Sequence, residues 1–154
     1  KLERAPSLKH CLYFELNEAD LLDNYQKIEE QLSALKQLDV QLILDDFANA
    51  NTRIPLLAQL QADAVKLDKT CIQLTQGKHS KRILNTTISI AKSLSLAVIA
   101  QGVETQDQKQ TLNALGCNYL QGYLISPPKD AHAIGEWMQQ YQQRSTVSSD
   151  NSLH

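Results

Sequence analysis

A chain of 154 residues with 15 Lys and Arg against 17 Asp and Glu, a net charge of -2, has no field with which to gather nucleic acid or an anionic membrane. Its length suits one domain with a core of its own. No apolar run approaches the roughly 20 residues that cross a bilayer, and the first residues carry no signal pattern. The expectation is therefore a soluble, cytoplasmic segment, alone or as the cytoplasmic part of a longer membrane-associated chain. Cys11, Cys71 and Cys117 are odd in number, widely spaced and set among apolar residues. They match neither a disulfide framework nor a CxxC metal site and read as reduced core thiols.

Residues 1–10 are basic and loop-like. Cys11 to Leu16 reads as a strand, and Asp20 to Leu38 as an amphipathic helix, because Leu21, Tyr25, Ile28, Leu32 and Leu35 recur on one helical face. Gln41 to Phe47 is an apolar strand that ends in two carboxylates, Asp45 and Asp46. A small polar loop over 48–52 leads into a short helix around 53–60, where Pro55 fits only the first turn. Ala64 to Asp68 is the third strand. Ser80 to Leu94 is a helix with Ile83, Leu84, Thr87, Ile88 and Ala91 on one side, followed by a fourth strand, Ala97 to Ala100. Gln106 to Leu115 is a helix closed by Gly116 in the left-handed position. The fifth strand, Cys117 to Gln121, is stopped by Ser126-Pro127-Pro128. The last helix, Ala131 to Gln142, should bury Ile134, Trp137, Met138 and Tyr141, and 143–154 should form a disordered polar tail.

Strand and helix alternate five times, which argues for a parallel sheet with helices outside it. Five units are too few to close an eight-stranded barrel. Periodicity leaves an open doubly wound sheet as an alternative, although no GxGxxG or GxxxxGK[ST] stretch is present to hold a nucleotide.

The strand ends carry the chemistry: Glu15-Leu-Asn-Glu18, Leu44-Asp-Asp-Phe47, Val65-Lys-Leu-Asp68, Ala100-Gln-Gly-Val-Glu104 and Gly116-Cys-Asn-Tyr-Leu-Gln-Gly-Tyr123, then Ser126-Pro127. In this order and spacing they closely resemble the EAL domain, the bacterial cyclic di-GMP phosphodiesterase family, whose fold is a modified TIM barrel. The resemblance runs from about Leu12 to Trp137 and implies an α/β fold, a partial TIM-type (β/α) barrel of about five units. It makes residues 1–142 the C-terminal portion of an EAL-like domain, with no counterpart of the strand bearing the Glu-Ala-Leu signature. Cutting a phosphodiester with two divalent ions takes carboxylates to hold the metals, a water acidified between them, and a cation to steady the reacting oxygen. The resemblance implies Glu15 as a ligand of Mg2+ or Mn2+, Asp45 as the bridge between two ions and Asp46 as ligand of the second. It implies Lys66 as the group that positions the attacking water, Glu18 as anchor of the loop after Phe47, and Gln121 as a substrate-facing residue. Asp68 is expected to close a turn and Glu104 to cap the next helix, and the four histidines receive no ligand role.

Two departures weigh against chemistry. The family's Ala-Glu-Gly-Val-Glu is here Ala100-Gln101-Gly102-Val103-Glu104, so a carboxylate credited with base or metal work is a neutral amide that cannot take up a proton at ordinary pH. The loop that reads Asp-Asp-Phe-Gly-Thr-Gly-Tyr-Ser in active members is Asp45-Asp-Phe-Ala-Asn-Ala-Asn-Thr52, without the glycines that give access to positive φ. The expectation is a degenerate, catalytically inactive domain with no cofactor bound, in which Glu15, Asp45, Asp46, Lys66 and Gln101 are vestigial, acting as a regulatory or protein-interaction module. Two alternatives stand beside it: a working phosphodiesterase completed by upstream sequence, and a receptor that binds cyclic di-GMP weakly without cutting it. The first and fifth strands would be exposed edges, so a homodimer or a partner protein is expected to cover them.

Overall fold

Alternation within each apolar run and helical spacing between runs predict strands that bury one face under helices, and that is the arrangement found. A computed structural model of the chain describes residues 12–47, 60–73 and 78–150, with backbone only at 18–20, 22–26, 78–79 and 142–150. The elements are β1 (Tyr13–Asn17), α1 (Glu18–Gln37), β2 (Gln41–Phe47), β3 (Ala64–Leu67), α2 (Lys69–Gln73), α3 (Lys78–Ser93), β4 (Ala97–Gln101), α4 (Gln106–Leu115), β5 (Tyr119–Gln121) and α5 (Ala131–Asp150). The loop expected at 48–52 and most of the helix expected at 53–60 lie outside the described residues, as do Cys11, His10 and His154.

The five strands are parallel and lie in the order β1-β2-β3-β4-β5. Sequential order decides between the two architectures left open by periodicity. A doubly wound sheet reverses its strand order at a switch point, whereas a (β/α) barrel adds each strand beside the last. The helices confirm it by covering one face. Leu21 and Leu32 of α1, Ile72 of α2, Leu84, Ile88 and Ala91 of α3 and Leu112 of α4 all join one core. That core meets Leu42, Leu44, Val65, Leu67, Val98 and Ala100, the alternate residues of β2, β3 and β4. The opposite, inner face carries Tyr13, Glu15, Asn17, Ile43, Ala64, Lys66, Ala97, Ile99, Gln101, Tyr119 and Gln121. Part of it lines a hollow of about 360 Å³ that includes Tyr13, Ile43, Ile99 and Tyr119.

Local signals explain the ends of α4. Thr105 is its N-cap: the hydroxyl accepts from the Gln108 amide while the Gln108 side chain accepts from the Thr105 amide. Glu104, expected to cap this helix, instead pairs its carboxylate with Lys69 at 3.3 Å. Gly116 closes the helix at φ 81°, as its position predicts, and Lys92 of α3 donates to the Leu115 carbonyl at 3.1 Å, placing a cation on the negative end of the helix dipole.

Three expectations are corrected. Ile83 is 54% exposed, because the face that α3 buries is the Leu84, Ile88, Ala91 row and Ile83 sits one residue outside it. Ile134, Met138 and Tyr141 of α5 are exposed, and Trp137 stacks on Tyr141 with ring centroids 5.0 Å apart. Spacing specified which residues share a face but not what covers them. The segment expected to be a disordered tail from 143 is helical as far as Asp150, since no Gly or Pro interrupts it. Among the described residues, no helix is long and apolar enough to cross a membrane.

Cys71 and Cys117 are free and half-buried. Burial pushes the Cys117 thiol up to about 11, partly offset by Lys92. Burial, with Asp68 nearby, also raises Cys71. Neither is an activated nucleophile. The fold's preference for neutral Cys117 is complete below about pH 9 and fades as pH rises to about 11.

Two measurements test this packing. In urea denaturation Leu84→Ala should cost about 2 to 5 kcal/mol, whereas Ile83→Ala should stay within about 0.5 kcal/mol. At pH 8 iodoacetamide should label Cys117 at least about tenfold more slowly in the native chain than in urea, the difference closing as pH approaches 11. Equal rates at pH 8 would contradict the burial.

Candidate functional site

The carboxyl ends of the strands collect the polar inner-face residues, and each is placed by what its neighbours bury. Lys66 lies on the central strand between Val65 and Leu67, both wholly buried on the helix side, so its side chain must point inward. It is 5% exposed, the buried charge among the described residues. Its ammonium spans β2 to reach β1, donating to Oε1 and to Oε2 of Glu15, both at 2.8 Å. The pair is unequal: the Lys66 side chain is 7% exposed and that of Glu15 is 49% exposed.

Asp45 and Asp46 occupy a bulge. Leu44 is in register with Val65 and Phe47 with Leu67, so β2 carries one more residue than β3 across this step. The extra residue keeps Phe47 in the core at 2% exposure and turns Asp46 to φ 58°, a left-handed conformation that Asp tolerates better than most residues. Oδ1 of Asp45 accepts from the Asp46 amide at 3.0 Å, and Oδ2 of Asp46 accepts from the side-chain amide of Asn17 at 2.9 Å. Asn17 was missed by sequence reasoning. The signal was available, since Asn17 shares the inner face with Glu15 by simple alternation.

The other half of the strand ends forms a separate group. Gln101 and Gln121 are register partners on β4 and β5, and the Gln121 carbonyl accepts from the amides of Gly102 and Val103 at 2.8 and 3.0 Å. Gly122 is required here: a Cβ on it would lie 2.2 Å from the Val103 carbonyl oxygen. Lys69, Gln101, Glu104, Gln121, Tyr123 and Ser126 line a hollow of about 480 Å³. Lys69, Tyr123 and Ser126 were not singled out from the sequence. Asp68 does close a turn: it accepts from the Thr70 hydroxyl at 2.7 Å and from the Thr70 amide at 3.3 Å. The Thr70 hydroxyl holds the Asp68 carboxyl below the usual range.

The fold thus brings Glu15 to Lys66 and Gln101 to Gln121, and it places Asp45 and Asp46 beside Asn17. The Glu18 side chain lies outside the described set. Glu15, Asp45 and Asp46 each accept hydrogen bonds from a different protein donor, and no group of three His, Cys, Asp or Glu side chains converges among the described residues. What the site holds is an ion pair, two carboxylates with protein donors and a pair of amides.

Comparison with known proteins agrees with this architecture. The family model described as EAL domain matches residues 1–128. The chain is 33% identical over 131 residues to the oxygen sensor protein DosP of Escherichia coli, covering 84% of this chain and 16% of that protein. It is 33% identical over 141 residues to the cyclic di-GMP phosphodiesterase NbdA of Pseudomonas aeruginosa, covering 91% of this chain and 18% of that one. It therefore spans less than a fifth of either. Among solved structures, the PaMucR phosphodiesterase in complex with c-di-GMP superposes with a TM-score of 0.78 at 28% identity, covering 86% of this chain and 54% of that chain. With a match over most of its length, a sequential parallel sheet and the strand-end residues in register, this chain belongs to the EAL domain family.

Proposed function

We propose that the chain is a degenerate part of an EAL domain in cyclic di-GMP signalling that acts as a regulatory or protein-interaction module without turnover. Relatives named cyclic di-GMP phosphodiesterases support the signalling context. The observation that carries the loss of turnover is Gln101 at the end of β4, paired in register with a second amide, Gln121. An amide there supplies neither a proton acceptor nor an anionic metal ligand. Glu15, Asp45 and Asp46, turned to other donors, do not replace it.

The interaction role rests on exposed surface. Among the described residues β1 and β5 are the two ends of the sheet, and Tyr13, Phe14 and Tyr119 on them are 56%, 45% and 61% exposed. Unpaired strand edges with apolar flanks are sites of association. A second copy of the chain or a covering partner fits them.

Incubation of the full natural protein with cyclic di-GMP and Mg2+ or Mn2+ should give no linear dinucleotide. Metal-dependent linearisation that is lost in Asp45→Asn would overturn the reading in favour of a hydrolase completed by upstream sequence. Binding without cleavage in calorimetry would favour a receptor instead. In multi-angle light scattering the isolated chain should run as a dimer, and a monodisperse monomer would count against self-association through these edges.

A further inference from the structure

We draw no further inference here: the strongest candidate, the stripe of Ile134, Met138 and Tyr141 exposed along α5, is an apolar helix face outside the core, and nothing in the structure shows what covers it.

Discussion

Burial of the Lys66 ammonium is the constraint on which the inner face depends. A charge taken from water into a protein interior loses hydration that only a well-placed opposite charge restores, and removing one partner of such a pair commonly costs about 3 to 5 kcal/mol. Here the partner stands two strands away, on β1. Because successive residues of a strand alternate between faces, sliding β1 by one residue would turn Glu15 to the helix side and bring Leu16 inward. That slip would strand a buried cation and also pull Leu16 out of contact with the core. The ion pair and the core therefore specify the same register from opposite faces. Half-exposure of Glu15 lowers the worth of the attraction, since water screens the anion. The pair thus weighs more on register than on overall stability.

The bulge at Asp46 shows the same coupling one strand over. Leu42, Leu44 and Phe47 are 1%, 1% and 2% exposed, yet two residues rather than one separate Leu44 from Phe47. A regular strand would send Asp46 into the helix-side core and Phe47 to the inner face. The inserted residue spares the protein a buried carboxylate, and the left-handed turn at Asp46 is the local strain that results. Placement of two adjacent carboxylates at one strand end therefore follows from where Phe47 packs, whatever those carboxylates do.

Much of this was legible in the sequence. The bounds of β2, Gln41–Phe47, and of α4, Gln106–Leu115, follow from an apolar run ended by charge and from an apolar spacing closed by glycine. Strand order was not legible, because alternation of strand and helix is common to barrels and open sheets, and only pairing separates them. The capping of α4 was misread at Glu104 although Thr105 and Gln108 stand at capping-box spacing. The exposed stripe of α5 was misread for a different reason: periodicity names a face, and the covering of that face is tertiary information. Within the site, alternation was enough to put Glu15 and Lys66 on one side of the sheet. Their direct pairing was not visible, because it depends on a reach across β2 that no local pattern encodes.

A fold of this kind separates what stabilises it from what makes it work. The core lies between sheet and helices, and the residues that fill it, Val65, Leu67, Val98 and Ala100 among them, are 0% exposed and point away from the strand-end polar groups. Exchanging a carboxylate for an amide of nearly equal size on the inner face leaves that core untouched. Gln101 is placed where such an exchange would be tolerated: its backbone neighbours pair with β5 whichever group the side chain ends in. Stability therefore exerts little hold on the chemistry of this position. Lys66 differs, since its burial makes the charge opposite it a structural requirement. A change of side chain at the end of β4 therefore costs the fold little, whereas loss of either Glu15 or Lys66 would disturb packing and register together.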